Sequence, residues 1–221
     1  MNQLDSRDLS VENEELLVRC AQGDQQALRS LFIRHERPVY GLLYRMLSNH
    51  EDAEDALAIV FTKVWKAASR FKGKASFTTW LYRITANTAM DILRSRKTRP
   101  EVSIEETLIS EAELLKHSAN HFEDPEETVL KAEGNAVLAA AMAKLPEEER
   151  LLISLYHLQD LSYEEIAEIT GITPKHLKVK VFRARQRLKK HYTTIEKEEK
   201  DGLRDSAAEP TGLQSPATEP R

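Results

Sequence analysis

The 221-residue chain has room for one large domain or two small ones, and its single cysteine, Cys20, excludes an internal disulfide and a cysteine-rich zinc site. No apolar run approaches the roughly 18 residues of a membrane span, and MNQLDSRDLSVENEELL has neither a basic start nor an apolar stretch. Membrane insertion and a secretory signal are therefore not expected, and the expected compartment is the cytoplasm, or the nucleus in a eukaryote. The formal net charge of −4 conceals a segregation of +4 over 1–99, −8 over 100–135, +3 over 136–192 and −3 beyond.

Helix signals dominate and no strand-like alternation persists, so the expected fold is all-α: two small helical domains joined by an acidic flexible linker. Asp24 has the chemistry of an N-cap for a helix carrying Ala27, Leu28, Leu31 and Phe32 and, after Pro38, Val39, Leu42, Leu43 and Met46. A second helix begins at Asn49–Asp52, with acids in its first turn as the helix dipole favours, and runs to about Ser69 with Ala53, Leu57, Val60, Phe61 and Val64 on its buried stripe. A short loop, Phe71–Ser76, leads to a third helix over about 77–96. Residues 100–126 lack an apolar stripe and read as the linker. His117 and His121 lie four apart as helix ligands would, but no Cys or further His is near, so no metal site and no cofactor are expected. Helicity resumes near Pro125, giving a C-terminal domain over 127–192, and residues 193–221 have the composition of a disordered tail.

The C-terminal domain shows its caps. Ser162 and Glu165 form a capping box, Gly171 suits a left-handed C-terminal turn, and Thr173 precedes Pro174 at the start of a strongly basic helix. Capped helix, tight turn and basic helix make a helix-turn-helix. A period of about 3.6 places Leu177, Val181, Ala184 and Leu188 on the core side, leaving Lys175, Val179, Phe182 and Gln186 on the opposite pole. Because the first residues of a recognition helix reach base edges while its flanks meet phosphate, Lys175, His176, Val179 and Arg183 are assigned to base reading. Phe182 can meet a thymine methyl, and Lys178, Arg187 and the other cations hold phosphate.

A second cationic surface lies in the first domain. Eight Lys/Arg and one acid fall between Arg70 and Arg99. Arg83, Asn87, Asp91 and Arg94 share one polar stripe of the third helix, with Trp80 and Tyr82 near its start and Phe71, Lys72, Lys74 and Ser76 in the preceding loop. Rings that stack, amides that read edges and cations that hold phosphate suit unstacked single-stranded bases. Phe71, Phe77 and Trp80 also suit a plain core, Phe77 most of all, and Asp91 suits orienting an arginine. Two separated cationic surfaces indicate two contacts with a phosphate backbone.

These residues resemble a known family. Asp52-Ala53-Glu54-Asp55, Val60-Phe61, Val64-Trp65 and then Phe71-x-Gly73-x-Ala75-x-Phe77-x-x-Trp80-Leu81-x-Arg83-Ile84-x-x-Asn87-x-x-x-Asp91 resemble region 2 of bacterial extracytoplasmic-function sigma factors, of the sigma-70 family. Leu145-Pro146 through Arg150, Tyr163-x-Glu165-Ile166-Ala167, Gly171-Ile172 and Arg183-Ala184-Arg185 resemble region 4. The resemblance implies a sigma factor that binds core RNA polymerase and directs promoter recognition and opening. Residues 1–99 would contact the −10 element as single strand through Phe71, Lys72, Lys74, Ser76, Trp80, Arg83, Asn87, Asp91 and Arg94. Residues 127–192 would read the −35 duplex through Thr173, Lys175, His176, Lys178, Val179, Phe182, Arg183 and Arg187. The polymerase would meet the second helix through Asp52, Glu54, Asp55, Ala58, Ile59 and Thr62, and an anti-sigma factor is a partner the family admits. The chain departs from the family at Ala58-Ile59, where Gln-Glu is usual, and at Thr173–Lys178, so no promoter preference carries over.

Two rivals are weaker. An autonomous helix-turn-helix regulator explains 145–190 and not the aromatic-basic block. An enzyme acting on nucleic acid lacks a nucleophile–base cluster and a phosphate-binding glycine loop, and Asp52, Glu54 and Asp55 fit one helix's first turn better than a metal site.

Overall fold

The computed structural model describes residues 3–98 and 136–207. The linker expected over 100–126, the His117/His121 pair and residues 208–221 lie outside the described residues. Every regular element described is helical. Helices α1 (Gln3–Ala21), α2 (Gln25–Leu47), α3 (His50–Ala67) and α4 (Phe77–Thr98) form the N-terminal half. Helices α5 (136–143), α6 (Glu147–Ile153), α7 (Tyr163–Thr170) and α8 (Pro174–Ala207) form the C-terminal half.

Local chemistry sets most of the boundaries. One oxygen of Asp24 accepts from the Gln26 and Ala27 N–H groups at 2.9 and 3.2 Å, capping α2. Its other oxygen takes two bonds from Arg19, and that partner lowers the carboxyl pKa. Pro38 does not end α2. An interior proline costs about 3 kcal/mol, but Val39, Leu42, Leu43 and Met46 beyond it are fully buried, and each such side chain contributes roughly 1.5–3 kcal/mol. Asn49 caps α3 by accepting from the Asp52 N–H at 3.0 Å, and α3 tightens into a 3₁₀ turn over Ala68–Arg70.

Two elements differ from the sequence expectation. Helix α1 has no continuous apolar stripe to announce it; it is held by Asn13, Leu17 and Cys20, buried at i, i+4 and i+7. Helix α8 runs to Ala207, so residues 193–207, expected in a disordered tail, are helical. The reason is tertiary: Tyr192 and Ile195 pack on Val137 and Ala141 of α5. Composition alone registers too few apolar residues there.

One apolar core runs through both halves, joining Leu31, Leu42, Val60, Phe77 and Leu81 to Leu152, Leu155, Ile166, Leu177 and Val181. Polar ties reinforce this docking. Arg150 of α6 is buried and caps the end of α2, donating to the Met46 carbonyl at 3.0 Å, the Arg45 carbonyl at 3.5 Å and the Ser48 hydroxyl at 3.4 Å. Its second nitrogen serves the Ala143 and Leu145 carbonyls at 3.2 and 3.3 Å. Gln159 accepts from the Tyr82 hydroxyl and donates to the Pro38 carbonyl at 3.3 Å. Burial pushes the Tyr82 hydroxyl up to about 12, which keeps it a donor.

Candidate nucleic-acid interface

The helix-turn-helix forms as its caps require. The Ser162 hydroxyl accepts from the Glu165 N–H at 3.2 Å while Glu165 accepts from the Ser162 N–H at 2.9 Å. Gly171 takes φ +75°, a left-handed conformation that other residues adopt at a cost. The Thr173 carbonyl accepts the Leu177 N–H at 3.0 Å, and the Thr173 hydroxyl pairs with His176 Nδ1 at 3.1 Å.

Helix α8 presents the face its period predicts. Leu177, Val181 and Ala184 are fully buried, whereas Val179 is 48 % and Phe182 59 % exposed. Lys175, His176 and Arg183 stand exposed beside them. The cations of α8 divide into two groups. Lys180 and Arg187 pair with Glu148 and Glu149 in the first turn of α6, at 2.7 and 2.6 Å. Arg187, expected on phosphate, is thus engaged within the fold. No ion pair among the described residues engages Lys175, Lys178, Arg183 or Arg185.

The first cationic surface is less free. Its loop turns at Gly73, φ +65°, and leaves Lys72 and Lys74 exposed. Ser76 is the N-cap of α4: its hydroxyl accepts from the Thr79 N–H at 3.1 Å and its carbonyl from the Trp80 N–H at 3.0 Å. That duty explains the residue without a nucleic acid. Phe77 is fully buried, as the core reading expects, while Phe71 and Trp80 are half-buried and meet edge-on at 5.3 Å between ring centroids. Beneath them the His35 ring lies 5.2 Å from Phe77, and burial, then the Arg34 charge, lowers its pKa to about 4. Asn87, Asp91 and Arg94 form an exposed stripe, with Asp91 holding Arg94 at 3.0 Å as the sequence suggested. Arg83 instead donates to the Glu168 carbonyl at the end of α7, and Lys97 pairs with Glu147 at 3.0 Å. Tyr82, grouped by sequence with the stacking rings, is instead buried against Gln159. Sequence reasoning missed the docking roles of Arg150 and Gln159, whose partners lie in the other half of the chain; only the Leu145–Arg150 motif hinted at one of them.

On α3, Asp55, Ala58 and Thr62 are exposed and Ile59 is 43 % exposed, on the face opposite Val60 and Val64. Asp52 is half-buried and tied to Arg96, and Glu54 stands 3.5 Å from His50. Among the described residues no group of three or more His, Cys, Asp or Glu is placed to hold a metal ion, and no helix is long and apolar enough to cross a membrane.

Comparison with known proteins accords with this geometry. Sigma-70 region 2 matches residues 31–99 and sigma-70 region 4 matches residues 136–188. The RNA polymerase sigma-H factor of Pseudomonas aeruginosa is 31 % identical over 182 residues, covering 81 % of this chain and 93 % of its own. The ECF RNA polymerase sigma-E factor of Haemophilus influenzae is 34 % identical, covering 79 % and 92 %. In fold, the chain is similar to CnrH, solved in complex with the cytosolic domain of CnrY, at TM-score 0.57 and 22 % identity over 80 % of this chain and 95 % of that one. It is similar also to the sigma factor RpoE of Bartonella quintana, solved with the anti-sigma factor NepR, at TM-score 0.57 and 22 % identity over 75 % and 96 %. The chain belongs to the extracytoplasmic-function sigma factors of the sigma-70 family.

Proposed function

We propose that the protein binds core RNA polymerase in the cytoplasm and carries it to promoters by two separate DNA contacts, without a catalytic step of its own. Region 4, extending over about 127–192, reads the −35 duplex, with Lys175, His176, Val179, Phe182 and Arg183 at base edges and Lys178 toward phosphate, while Arg187 stays with Glu149; Thr173 orients His176. The observation that carries this reading is the outward pole of α8, where an exposed valine and an exposed phenylalanine stand beside Lys175 and Arg183, cations without an ion pair among the described residues. Apolar surface in that setting matches a major groove with its thymine methyls.

Region 2, within residues 1–99, holds the opened −10 strand. Trp80 and Phe71 offer ring faces, Lys72, Lys74, Arg83 and Arg94 meet phosphate, and Asn87 reads a base edge; Asp91 orients Arg94 and Ser76 sets the loop. The exposed face of α3, with Asp52, Glu54, Asp55, Ala58, Ile59 and Thr62, docks on the polymerase. The neighbour solved with the anti-sigma factor NepR supports such a partner here too.

The test starts from transcript start mapping after overexpression, which supplies a promoter. Core polymerase with and without the chain is then assayed on that promoter for single-strand reactivity around the −10 element. Opening that depends on the chain is expected. An autonomous regulator would bind the duplex unaided and open nothing.

A further inference from the structure

At the edge of the recognition helix lies a feature that base reading does not use. Tyr156, in the turn after α6, and Tyr163, the first residue of α7, stack with ring centroids 4.8 Å apart and planes 24° from parallel. The Lys178 ammonium sits 5.9 Å from the Tyr163 centroid and the Arg185 guanidinium 5.7 Å from that of Tyr156. Seven residues apart, the two cations lie on one flank of α8 roughly 10.5 Å from each other along the axis.

We propose that Tyr156 and Tyr163 are positioning residues that hold Lys178 and Arg185 as a phosphate clamp beside the recognition helix. The inference rests on the reading of α8 as a duplex-reading helix. The contrast with Lys180 and Arg187 supports it: those cations are held by carboxylates, which neutralise them. A ring face holds a cation and leaves its charge and its N–H donors available to phosphate. Both cations are exposed, and ordering them before DNA arrives removes part of the rotamer entropy that binding would otherwise cost. The stack also places them where the first helix of a helix-turn-helix crosses the backbone.

The test measures affinity of the full-length chain, alone and assembled with core polymerase, for a mixed-sequence duplex as a function of KCl. Each phosphate contact contributes about 0.9 to the slope of log affinity against log salt. The exposed pair K178Q/R185Q is expected to lower the slope by about 1.8. Y156L/Y163L should lose at least half of that, Y156F/Y163F should restore it because the rings remain, and Y156L/Y163L added to K178Q/R185Q should change nothing more. An unchanged slope in K178Q/R185Q overturns the clamp even if the leucine variant does not fold. An unchanged slope in a folded Y156L/Y163L variant reduces the tyrosines to packing and overturns their role. If the unmodified chain binds duplex with no salt dependence in either preparation, the reading of α8 itself fails.

Discussion

The two cationic surfaces carry similar residue types and are prepared differently. On α8 the pole facing away from the core is open: Lys175 and Arg183 form no ion pair among the described residues, Val179 and Phe182 are exposed, and the helix rests on buried Leu177, Val181 and Ala184. On α4 Asn87, Asp91 and Arg94 stay exposed, but the groups around them are engaged. Arg83 serves the α7 carboxyl end, Tyr82 is buried against Gln159, Lys97 reaches Glu147, and the rings of Phe71 and Trp80 cover one another. A surface that reads an intact duplex can be preformed, because the duplex presents a fixed groove. A surface for single-stranded bases holds exposed rings, and here the rings are half-buried against one another while Arg83 and Lys97 are engaged by the other half of the same chain.

That comparison can be broken at Arg150. Arg150→Ala removes five hydrogen bonds to carbonyls and a hydroxyl in a buried setting, and a loss of about 3 kcal/mol in stability is expected by thermal unfolding. A single-stranded oligonucleotide should then bind the residual folded protein more tightly. A stable variant with unchanged oligonucleotide affinity would mean that the docking of the halves does not guard α4.

Arg183 sharpens the open side. Arg183→Ala should weaken upstream duplex binding by about 1–3 kcal/mol and relax base preference if it pairs with guanine; a uniform loss for every sequence would make it a phosphate contact. Trp80→Ala and Asn87→Ala should spare duplex binding and impair strand opening, measured as single-strand reactivity at the −10 element.

The covered side should also be sensitive to acid. His35 is neutral when folded, with a pKa of about 4 against an ordinary 6.5, and its buried Nε2 has no hydrogen-bond partner among the described residues. The unfolded chain therefore binds the proton first. Its contribution is complete above pH 6.5 and is lost as pH falls toward 4, by about 1–3 kcal/mol. Denaturant midpoints of His35→Leu should lose that part of the pH dependence. Its position under Phe77 predicts that strand opening weakens before duplex binding does.

The smallest expected effect on stability is at Ile59. With the side chain 43 % exposed, Ile59→Lys should change stability by less than about 0.5 kcal/mol while weakening association with core polymerase in a pull-down. A loss above about 2 kcal/mol would mark it as a core residue.

Much of the site was legible because it is written locally. Asp24, Asn49, Ser162 and Gly171 act through bonds to residues two to four positions away, and the arc of Leu177, Val181 and Ala184 follows from helical period alone. What escaped was long-range. Arg150 meets partners about a hundred positions upstream, Gln159 joins Pro38 to Tyr82, and Arg83 meets Glu168. Arg150 and Gln159 read as ordinary groups, and Arg83 as a nucleic-acid contact, until the halves are docked. Ser76 looked like part of a binding loop because a cap and a phosphate ligand call for the same hydroxyl.

The length of α8 ties together two tasks that composition kept apart. One uninterrupted helix carries the groove-facing pole near residue 179 and, four turns on, Ile195, which seats α5. Each residue turns a helix by about 100°, so a single insertion between Leu188 and Ile195 would swing Ile195 away from Val137 and Ala141 while leaving the reading pole untouched. Helix α8 is thus a phase gauge: the direction from which the chain enters region 4 and the direction in which region 4 faces the groove are fixed by counting residues along one rod.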